Sequence, residues 1–261
     1  MTQRLNNTFA KASTAFVAYI MGGDPDRASS QRVMNALPKH GVDIIELGIP
    51  FTDPMADGPV IEEAGIRSRK SGTTLVTILD MAAEFRKSNS ETPIIVMGYF
   101  NPIHQMGEAE FAAAAFEAGI DGAIIVDLPP EEDAPLREAF ETHDLALIRL
   151  ATPTTDAARL PEVVSGTKGF VYYVSMTGVT GTALSDGGSG DISAQVDAVR
   201  KASGLPVVVG FGVKTPQRAR EIGKIADGVV VGSAIVKTLH EDGEKAALAL
   251  VKSLADGAHS A

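Results

Sequence analysis

Cysteine and tryptophan are both absent from the 261 residues. Without cysteine there can be no disulfides, thiolate nucleophiles or Cys–zinc sites, and the composition fits a cytoplasmic protein. No apolar run approaches the roughly 20 residues that span a bilayer. The opening MTQRLNNTFAKASTAF lacks a continuous apolar stretch ahead of a small-residue cleavage site, so no secretory signal is expected. Basic residues are scarce relative to acidic ones, 23 against 33, for a formal net charge of −10. With no basic block, the electrostatic footprint of a nucleic-acid binder is missing. The expected partners therefore include neither nucleic acid nor membrane.

Short, β-branched apolar runs recur along the chain: Ala15–Met21, Asp43–Leu47, Pro93–Met97, Gly122–Val126, Leu145–Leu150, Phe170–Val174, Pro206–Gly210 and Gly228–Gly232. They are nearly continuous rather than alternating, as in parallel strands covered on both faces. Between them lie stretches such as TLVTILDMAAEFRKS and TPQRAREIGKIA, with apolar residues at spacings of three and four. Asp26 and Thr215-Pro216 read as helix starts. Eight such alternations favour a closed α/β barrel, (β/α)8, over an open doubly wound sheet. One domain is expected over residues 1–261, with a frayed tail at 255–261.

In a parallel barrel, catalytic groups gather at the C-terminal ends of the strands. The stretch IIELGIPFTDPMADGPVI (Ile44–Ile61) puts Glu46 inside the second strand, with Asp53 and Asp57 just beyond its end. Burial disfavours the charged carboxylate and raises its pKa towards neutrality, where the group can both give and take a proton. Two plainer readings stand beside this one. Glu46 would be a structural partner of a neighbouring strand, and Asp53-Pro54 and Asp57-Gly58 would simply make turns.

Glycines cluster after the last strands, as TGVTG (Thr177–Gly181), GFG (Gly210–Gly212) and GSA (Gly232–Ala234). Glycine lets backbone N–H groups approach an anion, and a helix start adds partial positive charge. The loops after strands seven and eight are where such barrels commonly hold phosphate. Only Lys214 is near, so a phosphate ester would be held mainly by neutral donors, with Ser233 adding a hydroxyl and capping the next helix. The long, glycine-rich Gly178–Asp191 reads as a lid or as a disordered insertion.

Other chemistries fit poorly. Schiff-base catalysis needs a lysine near a strand end, but Lys168 precedes its strand and Lys214 follows GFG. The five histidines are scattered, so no metal set is expected. No GxGxxG follows a first strand. Cofactor-free proton transfer by carboxyl groups on a phosphorylated substrate is what remains.

The segments ELGIPFTDPMADGP (Glu46–Pro59), GGDP (Gly22–Pro25), GYFNP (Gly98–Pro102), VDLPPEE (Val126–Glu132), YYVSMTGVTG (Tyr172–Gly181), GFGV (Gly210–Val213) and VGSAIV (Val231–Val236) occur in an order that resembles the tryptophan synthase alpha subunit family. The resemblance runs along essentially the whole chain. It implies a TIM barrel with an additional N-terminal helix within residues 1–12, which Arg4–Lys11 would supply. It also implies cleavage of indole-3-glycerol phosphate to indole and glyceraldehyde 3-phosphate. By resemblance, Glu46 is the general acid/base and Asp57 the second catalytic carboxylate. Tyr99, Asp127 and Tyr172, and more loosely Tyr19 and Asp24, match positions that line the pocket or shape its loops. Gly181, Gly210, Phe211, Gly212, Gly232 and Ser233 match the phosphate end, and Thr180 the lid threonine. The family needs no cofactor of its own. It pairs in a heterotetramer with a beta subunit that uses pyridoxal phosphate, and Asp53 and Asn101 match positions at or near that interface.

Departures from the family pattern are modest. Val60 stands where Thr is usual, and Glu62-Glu63 where Gln or small residues are frequent, which adds acidity beside the partner-facing loop. Two alternatives stay open: a stand-alone lyase releasing free indole, and a regulatory subunit that binds the phosphate ligand without turnover.

Overall fold

The computed structural model describes residues 2–175, 189–210 and 212–261, with side chains from 192 onward in the helix that starts at Ser189. The strands are β1 (Ala15–Met21), β2 (Ile44–Gly48), β3 (Ile94–Gly98), β4 (Gly122–Ile125), β5 (Ala146–Ile148), β6 (Leu150–Ala151), β7 (Val171–Val174), β8 (Val207–Gly210) and β9 (Gly228–Val231). Their order in the sheet is β5-β4-β3-β2-β1-β9-β8-β7-β6, and every pairing is parallel. The sheet's two ends, β5 and β6, are consecutive in the chain and flank Arg149 alone. The sheet therefore curls into a barrel whose fifth strand is interrupted once. The sequence reads Leu145–Leu150 as unbroken; the interruption arises because Arg149 turns its charged group out of the wall to pair with Asp133.

Alternation along the strands sorts the core into two layers. Val17, Ile44, Ile95, Ile124, Ile148, Tyr172, Val208 and Val230 pack together inside the barrel. The intervening residues, among them Ala18, Ile45, Val96, Ala123, Leu147, Tyr173, Val209 and Val229, face outward beneath the helices. Local chemistry starts those helices. Asp26 accepts the Ser29 N–H at 2.9 Å, Thr74 and Thr77 form a reciprocal capping box, and Thr215 caps a helix whose first residue is Pro216.

The N-terminal helix, Thr2–Lys11, seals the barrel floor. Leu5 is fully buried in the inner cluster, and Phe9 tilts against Phe170 with ring centroids 5.8 Å apart. Beside it, Asp121 is clamped by Arg4 Nη1 and Arg86 Nη2, both at 2.7 Å, and accepts the Ile94 N–H at 2.8 Å.

The tail at 255–261 is not frayed as the sequence predicts. The last helix runs Glu244–His259, and Leu254, Ala255 and Ala258 are fully buried. The small residues that suggest a loose end are what let this helix seat closely: a Cβ at Gly257 would collide with the Pro216 backbone. His259 Nε2 lies 2.7 Å from Asp43 Oδ2, which also accepts the Phe16 N–H at 2.7 Å.

Removing one member of a buried ionic cluster strands its partners. Asp121→Ala, which leaves two guanidiniums facing each other, should lose roughly 3–5 kcal/mol of stability in urea unfolding.

Candidate active site

Glu46 lies inside the C-terminal half of the barrel, in register with Tyr19 of β1 and Ile95 of β3. It is 1% exposed, and among the described residues neither carboxyl oxygen has a hydrogen-bond partner. Desolvation alone pushes its pKa up to about 8, so at neutral pH the group holds a proton. The plainer reading, a carboxylate bonded to a neighbouring strand, finds no such bond here.

Asp57 lies in the loop that leaves β2, immediately before the helix Pro59–Lys70. The loop is held at several points. The Asp57 N–H donates to Pro54 O at 3.0 Å, the Ala56 N–H donates to the Tyr99 hydroxyl at 3.0 Å, and Tyr99 stacks on Phe51 at 5.3 Å. Asp57 is half-buried, with its pKa raised to about 6. Desolvation lifts it, the Tyr99 hydroxyl pulls it back by hydrogen bonding, and the negative charge of Glu62 adds a further rise. Glu62 is one of the two acidic departures noted above, so that departure acts on the site as well as on the rim.

Two buried tyrosines link these acids. Burial raises the Tyr19 phenol far above its usual pKa, and the charges of Asp57 and Glu46 raise it further; Tyr172 responds to burial and then to Glu46. Both rings occupy space left by glycine. A Cβ at Gly48 would strike the Tyr19 hydroxyl, and one at Gly210 would strike that of Tyr172. Met21, Met97 and Ala64 pack around Tyr19.

At the phosphate end, Gly210 closes β8, and Gly212 has φ 77°, a left-handed backbone that suits glycine. Gly232 is the N-cap of the helix Ser233–Asp242, with no side-chain capping bond. Ser233 is therefore the first helical residue and not the cap that the sequence suggests. The first N–H groups of this helix lack intrahelical acceptors and face the barrel mouth with partial positive charge. Thr180, Gly181, Phe211 and residues 178–188 of the expected lid lie outside the described residues.

The remaining expected residues sit on the rim. Asp127 is exposed, and its carboxylate accepts the Phe100 N–H at 2.7 Å, capping the helix Phe100–Met106. Asn101 is exposed on that helix, and Asp53 is exposed and bonded to Thr52. Met55, on the same loop as Asp53, is 84% exposed. Sequence reading missed Arg67, which grips Asp24 through Nε–Oδ1 at 2.7 Å and Nη2–Oδ2 at 2.8 Å. This fork ties the loop after β1 to the helix that begins beside Asp57. The signal available was the spacing of Arg67 in that helix, which carries no mark of its partner. Among the described residues, no group of three or more His, Cys, Asp or Glu side chains is placed to hold a metal.

The family profile described as tryptophan synthase alpha chain matches residues 5–259. The chain belongs to the tryptophan synthase alpha chain family. Among solved structures, the tryptophan synthase subunit alpha from Legionella pneumophila str. Paris is 39% identical, with 99% of each chain covered and a TM-score of 0.91. A chain of the Mycobacterium tuberculosis tryptophan synthase in space group F222 is 35% identical, with 98% of each covered and a TM-score of 0.91. A protein from Aquifex aeolicus VF5 is 37% identical over 97% of this chain and 98% of its own, with a TM-score of 0.89. As a tryptophan synthase alpha chain, the protein is a lyase of tryptophan biosynthesis with a barrel fold.

The raised pKa of Glu46 sets a pH-dependent stability. Between about pH 4.5, its ordinary value, and about pH 8, the unfolded chain releases this proton while the folded chain keeps it. Stability must therefore fall as pH rises through that window. Glu46→Gln should be more stable than the parent at pH 8, by an amount on the order of a few kcal/mol, with the difference closing below about pH 4.5. Urea unfolding across pH checks this; a pH-independent difference would rule it out.

Proposed function

We propose that Glu46 and Asp57 divide the cleavage of indole-3-glycerol phosphate between a neutral acid and an anion. The observation that carries this reading is the pair of separated pKa values, about 8 for Glu46 and about 6 for Asp57. Near pH 7 the first carries a proton and the second a charge. Protonation of the indole ring at C3 by Glu46 makes the ring nitrogen iminium-like, so the substrate becomes its own electron sink. Asp57, fixed by Tyr99, stabilises the positive charge that develops on the ring N–H. The Glu46 carboxylate then takes the proton of the glycerol hydroxyl, the C–C bond breaks, and indole and glyceraldehyde 3-phosphate leave. No cofactor takes part in this sequence.

The phosphate is held at Gly210, Gly212, Gly232 and Ser233, where a helix start offers unpaired N–H donors; Gly181 and Phe211 complete this end and Thr180 belongs to the lid. Tyr19 and Tyr172 wall the indole pocket, while Tyr99 and Asp127 set its loops. Asp53 and Asn101, with the exposed Met55 of the Asp53 loop, face a beta subunit that takes up the indole and carries pyridoxal phosphate, in an alpha2beta2 assembly.

Purified protein should release indole slowly alone and faster with a beta subunit. Because the chain has no tryptophan, indole fluorescence reports binding against a low protein background. The pH profile of kcat/KM should be bell-shaped, with limbs near 6 and 8. Glu46→Gln and Asp57→Asn should each lower turnover by about 100-fold or more while substrate still binds. Binding without any indole release, alone or with the partner, would favour the regulatory reading instead. Near-normal turnover by Asp57→Asn would remove its charge-stabilising role.

A further inference from the structure

The loop after β1, Gly22–Pro25, is bonded on both sides to the segments that carry Glu46 and Asp57. On one side the Gly22 N–H donates to Gly48 O at 3.0 Å, two residues beyond Glu46 on β2. On the other side the helix Pro59–Lys70 and its C-cap Ser71 reach the same loop with three side chains. Arg67 grips Asp24, the Ser68 hydroxyl donates to Gly22 O at 2.5 Å, and the Ser71 hydroxyl donates to Gly23 O at 3.1 Å. That helix starts two residues after Asp57, with Gly58 as its N-cap. A circuit therefore runs from Glu46 through Gly48, the loop and the helix to Asp57.

The Arg67–Asp24 fork is the ionic link in that circuit. Asp24 is 3% exposed, so its carboxylate depends on this partner. Two parallel charge-assisted bonds fix an orientation as well as a distance. Elsewhere the helix is held by apolar contact, with Ala64 against Tyr19, Met21 and Val236, and such contact is non-directional. With a rise of about 1.5 Å per residue, Arg67 stands roughly 12 Å along the helix from Pro59. A tilt of about 5° around the Arg67 end would move the Asp57 end by roughly 1 Å. Misplacement of that size can cost about 100-fold in rate. The charge of Asp24 is also felt at Tyr19, which walls the pocket, so the guanidinium neutralises a charge beside the site.

We propose that Arg67 is a positioning residue for the cleavage: its fork with Asp24 fixes the tilt of the helix Pro59–Lys70 and thereby holds Asp57 beside Tyr99 and at its working distance from Glu46. The inference rests on the division of roles between Glu46 and Asp57 proposed above. Orientation matters here more than charge, so lysine, a point charge without a fork, is no substitute.

The test is indole release by the full chain carrying Arg67→Lys, Asp24→Asn or both, measured across pH and scaled to the folded fraction from urea unfolding. Arg67→Lys should lower kcat about tenfold or more and change KM by less than about threefold, because the fork does not touch β8 and β9, which carry the phosphate end. The acid limb near 6 should rise by about half a unit, since Asp57 drawn away from Tyr99 loses the hydrogen bond that lowers its pKa. The limb near 8, set by burial of Glu46, should stay. Asp24→Asn should show the same fall and the same shift. It removes the buried charge and leaves the partly exposed Arg67 free to turn to water, so it carries the test even if Arg67→Lys fails to fold. The double variant should lose no more kcat than the worse single one, as for two residues acting as a unit. Asp121→Ala, which weakens the distant floor, should keep its kcat per folded molecule. Normal kcat and an unmoved acid limb in the fork variants of an active parent, or an equal kcat loss in Asp121→Ala, would overturn this inference alone. A parent that releases no indole would overturn the division of roles and this inference together.

Discussion

Every second residue of a closed parallel barrel must enter an interior that water does not fill, and the rest of this structure follows from that. Val17, Ile44, Ile95 and their neighbours satisfy the constraint with hydrocarbon. Glu46 obeys the same alternation two residues beyond Ile44 and has no hydrogen-bond partner among the described residues, so it stays neutral. Its protonation state is thus decided by strand register. A slip by one residue would turn Glu46 outward under the helices and bring Ile45 or Leu47 in.

The two ends of the barrel treat a buried carboxyl in opposite ways. At the floor, Asp121 is also raised by desolvation, but two guanidiniums and a backbone N–H oppose that rise and hold the group as a structural anchor. At the mouth, Glu46 receives no compensating group from the described residues. Asp57 stands between these cases: half-buried, hydrogen-bonded by Tyr99 and lifted by Glu62. The same side-chain chemistry thus provides an anchor, a proton store and a charge, according to what is packed against it.

The strands were legible because each is a short β-branched run, and Glu46 because a carboxyl inside such a run is conspicuous. What was illegible depended on partners distant in sequence. Arg67 looks like any helix-surface arginine until Asp24 is brought to it. Arg149 sits in an apolar run that reads as one strand, and its break becomes visible only with Asp133 in place. The small residues near the C-terminus suggest fraying, whereas Ala255, Gly257 and Ala258 are small because a helix and a turn pack against them. Gly48 and Gly210 read as strand endings, although each also leaves room for a tyrosine hydroxyl from a neighbouring strand. The two candidate carboxyls were thus visible in local pattern, whereas the room that Gly48 and Gly210 leave for the tyrosines beside them was not.

The floor helix has a consequence for the order in which the protein assembles. Thr2–Lys11 precedes every strand, but nearly everything that holds it comes much later: Ser90 and Asp121 for Arg4, Asp144 for Thr2, and Phe170 for Phe9. During synthesis the first helix must wait, with Leu5 and Phe9 uncovered, until about two-thirds of the chain has followed it. Closing so long a loop is slow. The barrel's bottom is therefore completed late, by a segment that precedes all the strands it covers, and its apolar face stays without a core until they follow.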